Sequence, residues 1–209
     1  MGKWTRWTWL ACVPVLAGNT LAAEDPAALQ RGARTVVEIC TGCHDLKYIK
    51  YGDLLKIGIP KAEVDTMRGD KLMSDPLRAQ MAPSDAMALF NTVPPDLSLM
   101  AHAREGGSAY IQELLTGFYN DPSGNLSNHA FPGIKMPDVL GVAQADPAAR
   151  QEINHKAADV AAFLEWTADP NAAARIRMGY GVLVYVFVLT ILFYLLKKKT
   201  WRRLGHSSH

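Results

Sequence analysis

Cys40-Thr41-Gly42-Cys43-His44 is the stretch on which the interpretation of this sequence depends, because a C-x-x-C-H run is typical of covalent haem attachment. Two thiols at this spacing can form thioethers with the two vinyl-derived carbons on one edge of a porphyrin. The imidazole that follows then lies under the ring, where a nitrogen can ligate the iron. The sequence therefore predicts one covalent haem c, with Cys40 and Cys43 as attachment sites and His44 as a metal ligand.

Two other kinds of site share part of this run. A thioredoxin-like dithiol needs a strand before the C-x-x-C, and a zinc site needs two further ligands. Cys12 is the only other cysteine of the chain, and it lies in a segment that we expect to be removed. The alternative from a different class is thus a haem-free scaffold with a redox or metal-binding C-x-x-C, which a pyridine haemochrome spectrum would distinguish.

The N-terminal residues 1–23 have the pattern of an export signal. Lys3 and Arg6 give a positive start, residues 7–16 form an apolar centre, and Ala22 and Ala23 end a run suited to cleavage. We therefore predict a cleaved signal peptide over residues 1–23, followed by an exported domain.

Near the C-terminus, residues 178–196 form a run of 19 residues without a charge. A helix of about 20 apolar residues crosses the hydrocarbon core of a bilayer. The basic residues 197–199, 202 and 203 follow directly, so the positive-inside rule places the tail in the cytoplasm. The predicted organisation is a periplasmic haem domain over residues 24–175, a membrane helix over 176–197 and a cytoplasmic tail over 198–209. We expect the chain in a bacterial inner membrane.

The charge of the chain is unevenly distributed. The formal net charge is +2, yet all 20 Asp and Glu lie within residues 24–175, which hold only 14 of the 22 Lys and Arg, a net charge of −6. A domain of this sign does not suggest nucleic-acid binding. It favours encounter with basic partners at low salt.

The apolar periodicity of the domain predicts a mainly α fold. The segment 46–68, interrupted by glycines and a proline, is interpreted as short helices and turns. Residues 120–140 contain prolines and glycines without a period, which predicts a loop of about twenty residues, and residues 171–177 are expected to be a linker. The predicted helices cover residues 26–40, 84–90, a short stretch ending near Arg104, 108–118 and 155–167.

A second axial ligand is needed to complete the iron site, and its type sets the potential. Met136 lies in the irregular loop beside Pro137, where a sulfur can be held without competing for helix packing, whereas helical methionines more often fill a core. We predict Met136 as the second metal ligand, with His129 and Met100 as the main alternatives. The full set of candidates within the domain is Met67, Met73, Met81, Met87, Met100, Met136, His102, His129 and His155.

Several motifs, taken in order, resemble the cytochrome c1 family over nearly the whole mature chain. The double-proline run and the Ala-Arg-x-Gly-Gly segment are more specific than C-x-x-C-H alone. The motifs are C-x-x-C-H at 40–44, Pro94-Pro95-Asp96-Leu97-Ser98, Ala103-Arg104-x-Gly106-Gly107-x-x-Tyr110, Leu115-Thr116-Gly117, Phe131-Pro132-Gly133-x-x-Met136-Pro137 and Asp159-Val160-x-x-Phe163-Leu164-x-Trp166.

The resemblance implies roles for individual residues. It implies His44 and Met136 as axial ligands, Arg104 as the partner of a haem propionate, and Pro95 and Tyr110 in the wall of the haem pocket. A guanidinium suits this role because it forms paired hydrogen bonds with a carboxylate. Ala109 departs from the acidic residue expected before Tyr110, and the segment between His44 and Pro94 is short compared with mitochondrial relatives.

The resemblance also implies a c-type cytochrome haem domain with one C-terminal membrane helix, working as an electron-transfer subunit of ubiquinol:cytochrome c reductase. Such a subunit accepts electrons from a Rieske iron-sulfur protein and passes them to cytochrome c. Its implied partners are cytochrome b and the Rieske protein in a dimeric membrane complex. The alternative is a membrane-anchored cytochrome c that serves a terminal oxidase or another respiratory complex.

Overall fold

The computed structural model describes residues 25–205, with side chains described as far as Arg202. The predicted signal peptide, Cys12 within it and the last four residues of the tail lie outside these described residues.

Helices dominate the described chain, and 61% of it is helical, which confirms the predicted mainly α fold. Three short 3-10 turns accompany the helices, at Cys40–Gly42, Tyr51–Ile57 and Val142–Gln144. The α-helices are α1 Pro26–Glu38, α2 Lys61–Arg68, α3 Pro83–Phe90, α4 Met100–Ala103, α5 Gly107–Thr116, α6 Pro147–Ala168 and α7 Ala172–Gly205.

Two small antiparallel sheets correct the predictions for two segments. β1 (Leu46–Lys50) pairs with β2 (Pro76–Leu77), where only short helices and turns were expected. β3 (Phe118–Asn120) pairs with β4 (Leu126–Asn128), so part of the predicted loop is a hairpin. Strands of two to five residues are too short to show a clear alternation, which is why the sequence did not reveal them.

Several helix boundaries also differ from the predictions. α3 begins at Pro83 rather than Ser84, α5 ends before Gly117, and α6 begins at Pro147, where the Asp146 side chain accepts a hydrogen bond from Ala149 N at 2.8 Å. Proline is favoured in the first turn of a helix because its missing N–H has no intrahelical partner there. The expected linker over 171–177 is helical from Ala172 onward.

The core of the domain is organised by the packing of α1 against α6. Val36 of α1 and Phe163 of α6 are fully buried. The helices approach so closely that a Cβ on Gly32 would lie 2.0 Å from the carbonyl oxygen of Asp159. Beside this contact Arg31 donates two hydrogen bonds, of 2.7 and 2.9 Å, to the Asp159 carboxylate. The α1–α6 pair therefore forms the scaffold from which the 40–44 peptide leaves α1.

The structure confirms a long apolar helix at the C-terminal end, as predicted. Within α7, Ala172–Arg202 spans 31 residues and is long and apolar enough to cross a membrane, and none of its apolar window is buried against the domain. Lys197 lies 5.6 Å from the ring centroid of Trp201, close to the expected membrane boundary.

The close approach at Gly32 predicts a large effect of a single methyl group. We expect Gly32→Ala to destabilise the domain by about 3 kcal/mol, because the added carbon meets the α6 backbone and Phe163 Cβ, which cannot move independently. Thermal unfolding of the detergent-solubilised chain, followed by circular dichroism, measures this. Gly179→Ala is the control, since nothing lies within 4 Å of a Cβ at that helical position. Equal midpoints for the two variants would contradict the packing argument.

Candidate haem site

A cavity of about 530 Å³ lies beside the 40–44 peptide. Its volume falls in the range of roughly 300–1,000 Å³ that is typical of sites for small molecules and cofactors. Every residue assigned to the site from the sequence lines this single cavity, although the residues come from five separate segments of the chain. They are Cys40, Cys43, His44, Pro95, Arg104, Tyr110 and Met136.

The remaining wall of the cavity is largely apolar. α5 contributes Ile111 and Leu115, and α6 contributes Val160 and Leu164, all of which are buried. Val93 and Phe131 also line the cavity but are about half exposed, at 47% and 49%. The cavity thus has a buried apolar wall on the side of the core and an apolar edge that reaches solvent.

The 40–44 peptide is pinned by backbone hydrogen bonds to a segment that the sequence did not point to. The carbonyl of Thr41 accepts from Gln80 N at 2.8 Å, and that of Gly42 accepts from Met81 N at 3.1 Å. The carboxylate of Asp45 accepts from Ala79 N at 2.8 Å. Residues 79–81 therefore fix the peptide from the side. No side-chain pattern reveals backbone hydrogen bonds of this kind.

His44 is oriented by Pro95. Its Nδ1 lies 2.8 Å from the Pro95 carbonyl oxygen. A carbonyl can only accept, so Nδ1 carries the proton and Nε2 keeps its lone pair. Burial lowers the pKa of His44, outweighing the opposing effect of the Pro95 hydrogen bond and of Asp45 and Asp96. The imidazole is therefore neutral at pH 7, which is the form that binds a metal. Pro95, expected only as pocket wall, also orients the His44 ring.

The two cysteines are half-buried thiols without a disulfide. Burial raises the pKa of Cys40 to about 12, and the neighbouring Cys43 adds to the effect. The attacking cysteine of a redox-active dithiol instead has a depressed pKa, because a nearby positive charge or a helix N-terminus stabilises the thiolate. This environment does not favour the alternative in which the C-x-x-C is a redox-active pair.

The geometry reduces the candidates for a second ligand to two. Of the nine methionines and histidines considered, only Met100 and Met136 line the cavity. His129, one of the alternatives, instead stacks on Tyr119, with ring centroids 4.1 Å apart. Met100 starts α4 and also lines a neighbouring cavity of about 240 Å³, so it separates two spaces. Met136 lies in an irregular segment, as the sequence predicted.

The charged residues that line the cavity are Arg104 and Lys135. Arg104 follows α4, and Tyr110 lies in the next helix, with Gly106 and Gly107 between them. Both glycines have positive φ, 89° and 57°, which favours glycine because a Cβ would be strained there. Among the residues that line the cavity there is no Asp or Glu, so the acidic residues that give the domain its net negative charge lie outside the lining. Lys135 was missed by the sequence reasoning.

The donor set and the shape of the cavity together fit a covalently attached haem. A neutral imidazole with a free Nε2, a thioether and two thiols face one apolar space. A guanidinium and a phenol lie on its wall, where they can bind carboxylates.

The sequence of this chain is similar to those of several known proteins. The sequence model of the Cytochrome C1 family matches residues 18–204. A cytochrome c1 from Allochromatium vinosum is 33% identical, over 90% of this chain and 88% of its own length. A cytochrome b/c1 polypeptide from Bradyrhizobium diazoefficiens is 30% identical over 85% of this chain, which covers 33% of that longer protein. A solved chain of a hyperthermophilic respiratory complex III is 22% identical, with a TM-score of 0.48, covering 85% of this chain and 77% of its own.

The family match extends over nearly the whole chain, including the 40–44 peptide, the cavity residues and α7. The resemblance drawn from the motifs is therefore confirmed, and the family implies a haem cofactor. This chain belongs to the cytochrome c1 family.

Proposed function

We propose that this chain is the electron-transfer haem subunit of a membrane-bound ubiquinol:cytochrome c reductase. The observation that carries the proposal is that two thiols, an imidazole and a thioether line one cavity in a member of the cytochrome c1 family. These groups belong to Cys40, Cys43, His44 and Met136. A haem c in this position supplies a centre that gains and loses one electron.

Each residue has a distinct role in this proposal. Cys40 and Cys43 hold the cofactor covalently, and His44 offers Nε2 while Pro95 holds its ring. Met136 offers its sulfur, which favours a higher potential than a second histidine would. The apolar wall from α5 and α6 excludes water from the donors and strengthens their electrostatic interactions.

Arg104 and Tyr110 are proposed to bind the carboxylates of the cofactor. Both line the cavity at the junction of α4 and α5, and Arg104 is exposed, as a group that meets partly solvated propionates would be. A guanidinium can donate two parallel hydrogen bonds to one carboxylate, which fixes direction as well as charge.

The proposed partners follow from the family. The related Bradyrhizobium polypeptide is called cytochrome b/c1, which supports cytochrome b as a partner of this chain as well. In the proposed sequence of transfers a Rieske iron-sulfur protein is the donor and a cytochrome c the acceptor, within a dimeric complex.

The proposed topology follows the predicted segments. Residues 1–23 are a cleaved signal peptide, 24–175 lie in the periplasm, 176–197 span a bacterial inner membrane, and 198–209 are cytoplasmic. The apolar helix α7 and the basic residues at its end support this placement.

Covalent attachment through both thiols leads to the first test. We expect Cys40→Ser and Cys43→Ser each to prevent normal double attachment, because only one thioether can then form. The double variant should hold no covalent haem. Haem staining after denaturing electrophoresis measures this, with the unsubstituted chain as the reference. Staining of the double variant at the reference intensity would refute attachment through these cysteines.

The choice of the second ligand is tested by a matched pair of methionines in the same cavity. Met136→Leu should abolish the near-infrared sulfur-to-iron absorption band and lower the midpoint potential, because the thioether is lost while apolar volume is kept. Met100→Leu is the control and should retain both properties. A band that persists in Met136→Leu and disappears in Met100→Leu would assign the ligand to Met100.

The assembly itself can be tested by purification through a tag on this chain. We expect cytochrome b and a Rieske protein to co-purify, and the preparation to catalyse quinol-dependent reduction of cytochrome c. Recovery of the haem-containing chain without these two subunits would overturn the proposed function.

The same preparation tests the charge of the docking surface. Residues 24–175 carry a net charge of −6, so a basic cytochrome c should be steered toward them. We expect the second-order rate to fall by about an order of magnitude as added salt shortens the Debye length from about 30 Å to about 8 Å. A rate that does not depend on salt in an intact complex would contradict the proposed electrostatic steering, but it would leave the proposed function of the chain standing.

A further inference from the structure

We propose that Asn128 and Asp138 are positioning residues that clamp the segment bearing Met136, here called the Met136 loop (residues 129–137), against the cavity. The inference rests on the proposed role of Met136 as a ligand and goes beyond it, because it identifies what keeps the sulfur in place. Neither residue lines the cavity, so neither would touch the cofactor.

Asn128 fastens the start of the loop to the cavity wall. Its side chain is fully buried. Its Nδ2 donates to the Leu114 carbonyl oxygen at 2.7 Å, in the last turn of α5, where carbonyls lack intrahelical partners. Its Oδ1 accepts from Ala130 N at 2.9 Å and Phe131 N at 3.1 Å. One amide thus joins the helix that forms the wall to the first residues of the loop.

The approach of Asn128 to α5 depends on Gly117. A Cβ at this position would lie 2.8 Å from the Glu113 carbonyl oxygen and 3.2 Å from Asn128 Oδ1. The Gly117 carbonyl in turn accepts from His129 N at 3.0 Å. Gly117 therefore leaves room for the loop to begin directly against the end of α5.

Asp138 fastens the other end of the loop. Its two carboxylate oxygens accept from Gly141 N at 2.9 Å and from Ala143 N at 2.8 Å. These bonds close the turn that leads into the 3-10 segment Val142–Gln144, which packs against β3. Val142 is buried. Both ends of the Met136 loop are therefore tied to the same β3–β4 hairpin.

Most side chains of the loop between these ends are exposed, although His129 stacks on Tyr119 and Met136 packs against the core. Ile134 N donates to the Phe131 carbonyl at 3.2 Å, while the Phe131 side chain is half exposed. Exposed segments with few buried contacts open at low free energy, so the bonds at their ends control how often they open. Since a sulfur ligand can dissociate whenever its loop opens, the two anchors should determine the occupancy of the iron by Met136.

The test compares aspartates that make the same kind of hydrogen bonds at different places. Asp138→Ala removes two bonds at the loop, and Asp121→Ala is the matched control. Asp121 accepts from Ser123 N and Asn125 N, each at 2.8 Å, in the β3–β4 turn, and it does not line the cavity. Asn128→Ala is the second variant at the loop. The effects of Asp138→Asn should lie between those of the unsubstituted chain and Asp138→Ala, because the asparagine side chain keeps one of the two acceptor oxygens.

We expect Asp138→Ala to speed amide hydrogen exchange at Gly141 and Ala143 about tenfold, and Asn128→Ala to do so at Ala130 and Phe131, as loss of one or two hydrogen bonds would. In the haem-loaded full chain, both variants should weaken the sulfur-to-iron band, lower the midpoint potential and bind added imidazole about tenfold more tightly. Covalent haem staining should stay unchanged, since residues 79–81 and Pro95 hold the 40–44 peptide. Asp121→Ala should match the unsubstituted chain in band, potential and imidazole binding.

Two results would overturn the clamp. If exchange quickens in Asp138→Ala but the band, the potential and imidazole binding match those of the unsubstituted chain, Asp138 stabilises the fold without positioning the ligand. An equal loss of the band in Asp121→Ala would show a general effect of destabilisation. An incorrect assignment of Met136 as the ligand gives a different result, because Met136→Leu would then retain the sulfur-to-iron band. That result would also overturn the clamp.

Discussion

The hydrogen bond from His44 Nδ1 to the Pro95 carbonyl joins the two parts of the chain on which the site depends. One part is the peptide that leaves α1 with both cysteines, and the other is the double-proline segment that leads into α4. The prolines hold their own φ and disfavour helix in the preceding residue, so the carbonyl is presented by a stiff, extended backbone. The bond also decides which imidazole nitrogen remains free. A single contact therefore sets the tautomer, the ring orientation and the position of the wall that carries Arg104.

That contact can form only because the helical scaffold places the end of α1 accurately. Gly32 allows α1 to approach the α6 backbone closely, and α6 then supplies Val160 and Leu164 to the cavity wall. The same helix pair thus determines where the peptide emerges and how the cavity is closed on its inner side. The packing of α1 and the shape of the cavity are coupled through α6, because Asp159 and Phe163 meet α1 while the adjacent Val160 and Leu164 line the cavity.

The parts of this arrangement that were predictable are those encoded locally. Three features could be recognised because the residues that define them are neighbours in the sequence. They are the C-x-x-C-H run, the apolar run of α7 and Met136 with its nearby prolines. The β3–β4 hairpin was missed because three-residue strands show too little alternation. The bonds from Gln80 and Met81 to the peptide, and from Asn128 to Leu114, involve main-chain atoms distant in sequence. Such bonds leave no residue pattern, although the Asx-type turns at Asn128 and Asp138 were a weak signal that could have been used.

The His44 side and the Met136 side of the cavity are therefore held by different physical means. On the His44 side, backbone bonds to residues 79–81 and the Pro95 carbonyl hold a short peptide, to which the proposed covalent attachment would add. On the Met136 side, a loop with a half-exposed Phe131 is held by hydrogen bonds at its ends and by the packing of Met136 against the core. Electron transfer requires a site that changes little between oxidation states, which favours donors held in place before the electron arrives. The His44 side meets this requirement through the backbone hydrogen bonds of the fold. On the Met136 side we propose that the side chains of Asn128 and Asp138 meet it, so the stability of this side can vary independently of the His44 side.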